Sequence, residues 1–277
     1  MPLKFGTINL MKVKKRYKVS KGFTLLEVSI ALAIVAFLSY TITLGVKATR
    51  DFDRYAENKQ LLDNVRTSLL TFAQSNGYLP CPDSDTTPDG VENRTGNVCN
   101  DKNGFLPYQM LGIDPNDAWD QPLYYTINER ADVSGTQQID LPAESASFFN
   151  NTAAPVFNTL TKPVGLTSGA GNISVCGEDV TASCTSSTAD ADVIELKAIA
   201  VVVSFGKNGA DTWAKVASGP TAVALLDAAE EENADDDNFF WQAIGSNVTG
   251  QEFDDQLVWL TGYDVKYALL RSDRGLK

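Results

Sequence analysis

The chain has 277 residues, 43% apolar and 21% charged, with no histidine and a formal net charge of −12. That length allows one large domain or two small ones with a real core. The missing histidine excludes Ser-His-Asp and Cys-His catalysis and His-ligated zinc, and the acidic balance excludes nucleic-acid binding through clustered Lys and Arg.

Residues 1–22 carry seven basic side chains (Lys4, Lys12, Lys14, Lys15, Arg16, Lys18 and Lys21) and no acidic one, leaving 16 basic against 35 acidic residues in the remainder. Met11 is an alternative start that keeps six of the seven charges. A basic head of this kind marks the cytoplasmic end of a membrane segment. Val28 to Val46 follows, 19 residues without a charge, about 28 Å as a helix and long enough to cross the hydrocarbon. Just before this run, in "KGFTLLEVSI", stands Glu27. An acidic residue at mid-bilayer costs roughly 2.5–3.5 kcal/mol and usually has a partner. A secretory signal peptide would be cut after the apolar run at a small-x-small site, which Thr43-Leu44-Gly45 imitates poorly. A plain uncleaved anchor leaves Glu27 without a reason. A cut between Gly22 and Phe23 instead puts a new cationic N-terminus four residues before Glu27.

The segment "KGFTLLEV" resembles the processing signal of type IV prepilins and of the pseudopilins of type II secretion. The resemblance makes residues 1–22 a leader removed by prepilin peptidase, Gly22 its last residue and Phe23 the methylated first residue of the mature chain. It makes Glu27 the assembly glutamate, paired with the Phe23 amino group of a neighbouring subunit. Opposite charges attract strongly in a low-dielectric bundle, and an unpaired one there is costly. The resemblance further implies a single-pass protein of the bacterial inner membrane with its globular part in the periplasm. Its partners would be other pilin or pseudopilin subunits, the prepilin peptidase, the inner-membrane assembly platform and membrane lipid, with no nucleic acid.

Residues 23–46 form the transmembrane, assembly half of one helix, and residues 47–76 its amphipathic half. Phe52, Tyr55, Leu62, Val65, Leu69 and Phe72 recur at spacings of three, four and seven and make one apolar stripe. Ser75-Asn76-Gly77 ends the helix. From Phe23 to Asn76 is 54 residues, on the order of 80 Å if continuous, and Gly45 is one place where a bend would be easy.

Residues 77–277 form the globular part. Up to Leu123 the Pro- and Gly-rich sequence predicts loops. "GYLPCPD", "GFLPYQMLG" and "DAWDQPLYYTI" are similar to a connecting region of pilin-like proteins, in which Trp119 and Pro122 would introduce a strand at Leu123–Asn128. Residues 129–190 are polar and read as an insertion over the sheet. Val193–Gly209 reads as a long buried strand entering a Gly-rich turn. Residues 221–233 read as a short helix, and residues 256–270 as one or two closing strands. The expected fold is α+β, a long N-terminal membrane-spanning helix packed on a C-terminal antiparallel β-sheet domain.

Four cysteines without a C-x-x-C suit an exported domain, and they allow three disulfide connectivities. Proximity favours Cys81–Cys99 and Cys176–Cys184, each stapling a loop without a core of its own. Asp83, Asp85 and Asp89 match an EF-hand loop only loosely and read as a solvated acidic turn. The C-terminal acids are similar in order to the calcium loop of major pseudopilins. That similarity implies Glu232, Asn233, Asp235, Asp237 and Asp254 as ligands, with Asp255 as a spare. Oxygen donors without His or Cys suit calcium over zinc. A carboxylate-pair hydrolase finds no support, because the acids sit in Gly- and Asn-rich loops without pairing across strand ends. The resulting reading is a structural filament subunit, minor because it is long, and not an enzyme. The alternative is a membrane-tethered periplasmic binding module outside any filament.

Overall fold

A computed structural model describes residues 22–76, 78–95, 98–127, 173–177, 184–214, 228–235, 237–242, 246–248 and 251–271. The expectations for residues 1–21, and most of those for 129–190 and 221–227, lie outside the described residues. The chain divides into two compact units, Met1–Asp51 and Phe52–Lys277.

Helix α1 runs Leu25–Asn76, without interruption at Gly45. Its start has a local cause in the capping box Thr24-x-x-Glu27. Glu27 Nα–H donates to Thr24 Oγ1 (3.2 Å), while the Thr24 amide and hydroxyl donate to Glu27 Oε2 (2.9 and 3.0 Å). In the first unit Leu25–Ile42 is apolar enough to cross a membrane and none of it is buried. Two of the hydroxyls there turn inward on the helix: Ser29 donates to the Leu26 carbonyl and Thr41 to that of Leu38. Neither then presents an unsatisfied donor to an apolar surrounding.

In the second unit α1 buries Asn58, Leu62, Val65, Leu69 and Ala73, the regular three-and-four stripe. Phe52, expected in that stripe, is 74% exposed. Stepping back three residues from Tyr55 turns the side chain about 60° short of a full turn, off the packed face.

After α1 come β1 (Arg94–Thr95), β2 (Val98–Cys99), β3 (Asn103–Phe105), α2 (Tyr108–Leu111), β4 (Tyr124–Ile127), β5 (Ile173–Cys176), β6 (Val193–Ser204), α3 (Gly209–Ala214), α4 (Ala228–Glu232), β7 (Phe239–Trp241), β8 (Ser246–Val248), β9 (Gln251–Phe253), β10 (Gln256–Thr261) and α5 (Gly262–Leu270). The spine of the main sheet is β6, and β10 pairs antiparallel along one of its edges. Ala200 faces both Leu260 and Ile127, and Ala198 both Thr261 and Ile173, so β4 and β5 share the other edge. They are two halves of one interrupted strand position. β4 ends at Ile127, opposite Ala200, and β5 begins at Ile173, opposite Ala198.

Four expectations are corrected. The sheet is mixed, since β7 pairs parallel with β5; the connection from β6 past β5, which carries α3 and α4, supplies the crossover that a parallel pair needs. The stretch before Leu123 holds three short strands and a helical turn, not loops alone. There Gly104 lies so close under the Asp83 carbonyl that a Cβ would collide with it, and the Asp83–Phe105 backbones bond in both directions (2.9 and 2.8 Å). The segment expected as an insertion contributes "ISVC" as β5, buried throughout. The chain closes with one strand and a helix, because Thr261 and Asp264 form a second capping box. The strands predicted at Leu123–Asn128 and Val193–Gly209 are present as β4 and β6, and the described part of the 221–233 helix is α4 (Ala228–Glu232).

One core joins Leu62, Val65 and Leu69 of α1 to Tyr125, Ile127, Ile199, Val202 and Leu260 of the sheet and Val265 of α5. A second joins Tyr124, Val175, Val201, Val203, Phe205 and Phe240.

Candidate functional site

Two places concentrate chemistry that packing does not explain. The first is the N-terminal segment. Gly22 has no positive φ, and a Cβ built there meets nothing within 4 Å. The fold therefore does not demand glycine at this position. Phe23 is 85% exposed. Glu27 is engaged with Thr24, so part of its desolvation cost is already met within its own first turn.

The second place is the acidic loops. The residues expected as one ligand set divide into two groups. Glu232 is buried, its Oε1 has no hydrogen-bond partner, and burial followed by the nearby charges of Asp235 and Asp237 raises its pKa to about 7. Asp235 and Asp237 order their own turn: Asp235 accepts from the Asp237 amide and Asp237 from that of Phe239 (3.2 and 2.6 Å). Asn233 is a brace. Its amide exchanges hydrogen bonds with the Trp241 backbone (2.7 and 3.0 Å) and donates to Asp255 (2.9 Å). Asp254 instead joins Glu230 and Asp255, and their carboxylate oxygens lie within 4.8 Å of one another. Around this trio Asn208 donates to Glu230 (2.7 Å) and leaves its own Oδ1 buried without a partner. The Lys207 amide donates to Asp254 (3.1 Å). Gly206 has φ +59, and a Cβ there would stand 2.5 Å from Asp254 Oδ1. Asp255 is fully buried, and burial followed by the Glu230 charge pushes its carboxyl well above the usual range.

Glu230 and Asn208 were not singled out in the sequence. "EEEN" offers three adjacent glutamates with nothing local to choose among them, and Asn208 reads as a turn residue. Asp83, Asp85 and Asp89 do gather, but Asp83 is buried and accepts from the Asp85 and Gly90 amides (3.1 and 2.7 Å), with burial raising its pKa. It organises the turn, and only Asp85 and Asp89 are exposed. Both disulfides favoured by proximity are present, Cys81–Cys99 and Cys176–Cys184.

Residues 17–39 match the prokaryotic N-terminal methylation motif, the signal of type IV pilins and pseudopilins. No curated protein and no solved structure matches the chain. The motif indicates a prepilin-peptidase substrate that assembles with other pilin-like subunits, and it points to a structural role and not to catalysis. With the apolar helix it indicates anchoring in a membrane.

Proposed function

We propose that this chain is a structural subunit, minor by its length, of a type IV pilus-like or type II secretion filament. Prepilin peptidase cuts between Gly22 and Phe23, and the assembly platform draws the mature chain from the inner membrane, its sheet unit on the periplasmic side. One observation carries the reading: the methylation motif at 17–39 coincides with the start of a helix whose residues 25–42 bury nothing within their own chain. That apolar surface must be covered by lipid before assembly and by other helices after it. Glu27, held at the first turn by Thr24, would receive the N-terminal ammonium of the next subunit. Mass spectrometry of the protein from cells with an active peptidase tests the reading. The expected terminus is N-methyl-Phe23, and an intact Met1 or Met11 terminus in all of the protein rejects it.

We also propose a calcium site. The donors are hard oxygens, and the trio of Glu230, Asp254 and Asp255 with the open Asn208 Oδ1 fits Ca²⁺. Glu232, Asp235 and Asp237 add negative charge from the neighbouring loop. A divalent cation would relieve the repulsion among these acids. At a hundredfold excess over Kd it would stabilise by about 2.7 kcal/mol. At fixed ionic strength the protein should melt higher in calcium than in chelator, with magnesium a poor substitute. Equal melting in all three rejects the site.

A further inference from the structure

The Cys176–Cys184 disulfide, Trp241 and Phe253 form a small core of their own, and each of its parts leads to the acidic loops. The Cys184 amide donates to Glu232, the buried acid whose Oε1 has no hydrogen-bond partner. Trp241 exchanges backbone hydrogen bonds with the Asn233 side chain, which also donates to Asp255. Phe253 directly precedes Asp254. From the other side the sheet holds this core in place. The Cys176 carbonyl accepts from the Gln242 amide (2.9 Å), and the Trp241 indole donates to the Gly177 carbonyl (2.8 Å). Cys184, 1% exposed, is tied to the end of β5 through its sulfur. Opening the bridge would free an amide that holds Glu232 and loosen the packing beneath Asn233 and Asp254.

The other disulfide shows what sets this one apart. In Cys81–Cys99 the Cys81 amide also donates to a glutamate, Glu92 (2.8 Å), but Glu92 is paired with Arg94 (3.4 Å). Glu232 instead faces the like charges of Asp235 and Asp237.

We propose that the Cys176–Cys184 bridge positions the acidic loops for their cation, so that the reduced chain binds calcium more weakly and bound calcium resists opening of the bridge. The proposal rests on the calcium reading above. The redox step is thiol–disulfide exchange. A dithiol gives up two electrons and two protons and closes to its own disulfide, Cys176 and Cys184 become thiols, and calcium keeps its charge. Once opened, the chain at Cys184 regains conformational freedom that must be lost again before Glu232 is held in place, and that cost appears as lost affinity. Linkage makes the two effects equal in size. Saturating calcium must shift the redox equilibrium of the bridge by the same factor by which reduction weakens calcium binding. The site would then be completed only in an oxidising compartment.

The test uses the full chain in detergent, equilibrated in buffers of a dithiol and its disulfide, with calcium or with chelator at fixed ionic strength. Alkylation and peptide mass spectrometry read each bridge separately. Calcium should raise the ratio of dithiol to disulfide that opens half of Cys176–Cys184 at least tenfold, and leave that for Cys81–Cys99 in place. In calorimetric titration, Cys176→Ser with Cys184→Ser should bind calcium at least tenfold more weakly than wild type, while Cys81→Ser with Cys99→Ser should bind it equally well. Should the first serine pair fail to fold, the wild-type redox equilibria decide alone. Wild type that binds calcium but opens Cys176–Cys184 at the same ratio with and without it overturns the coupling and leaves the calcium site intact. So does an equal shift of both bridges, which would report general stabilisation. Wild type that binds no calcium overturns both.

Discussion

The two stretches of α1 have the same backbone and opposite grounds for existing. Leu25–Ile42 buries nothing within the chain, and its cap and propensity are all that hold it from inside. Tyr55–Ala73 is held by a sheet, with Leu62, Val65, Leu69 and Ala73 buried and Asn58 bridging to Ala118 and Gln256 (3.4 and 2.8 Å). Substitutions in the first stretch should therefore register in processing and assembly and be silent in folding, while those in the second should do the reverse. A helix that is apolar all round states a need for surroundings, and one with a stripe states a need for a partner surface.

The sharpest separation comes from Gly22→Asp. A charge and a Cβ at a position the fold leaves open should abolish cleavage, so that mass spectrometry finds only precursor. Folding of the second unit should be unchanged, as read by the four tryptophans, all of which lie in it (Trp119, Trp213, Trp241 and Trp259).

Next in size is a matched pair of truncations. Leu69→Ala, at 1% exposure, should cost about 2–5 kcal/mol in unfolding followed by tryptophan fluorescence. Leu32→Ala, at 64% exposure, should leave that transition in place. A comparable loss from Leu32→Ala would break the comparison, because it would mean that the first stretch contributes to the stability of the sheet unit.

The two capping boxes allow the same contrast with one chemistry. Asp264 caps α5 and also pairs with Arg66 of α1, so Asp264→Ala should destabilise the second unit by about 1–2 kcal/mol. Glu27→Ala removes the equivalent cap of α1 but should leave tryptophan-monitored melting unchanged and lower the filament-associated fraction. Wild-type assembly by Glu27→Ala would remove this glutamate from any role in docking.

The smallest expected effect concerns pH. Glu232 has a folded pKa of about 7 against an ordinary 4.5, so the folded state holds the proton more tightly. Its contribution is fully present below pH 4.5 and is lost as pH rises through about 7. In chelator, Glu232→Gln should match wild type near pH 4.5 and exceed it at pH 8 by roughly 1 kcal/mol after allowance for screening. Identical pH profiles would mean that Glu232 is not a strained carboxylate.

Much of this was legible because it is local. The methylation motif, the apolar run and Glu27 are fixed by adjacency, and periodicity placed Tyr55 to Leu69 on one face. Proximity sufficed for the disulfides, since short loops close at the least entropic cost. Two local signals were readable and missed: Thr24-x-x-Glu27 and Thr261-x-x-Asp264, the second of which decides that a helix follows β10. The short β5 was hidden because four apolar-leaning residues inside a polar stretch carry no period of their own.

By itself the sequence determined the N-terminal signal, the membrane-compatible helix and the α+β class, and it favoured one of three cysteine pairings, all through neighbours in the chain. Tertiary structure alone decided that Phe52 stands outside the core and that β4 and β5 complete one strand position. It also decided that Glu230, Asp254 and Asp255 converge while Asn233 braces Trp241. Each of these depends on groups brought together from distant parts of the chain. Composition can supply acids and apolar side chains, but their distances are set only when the sheet fixes the strand ends that carry them.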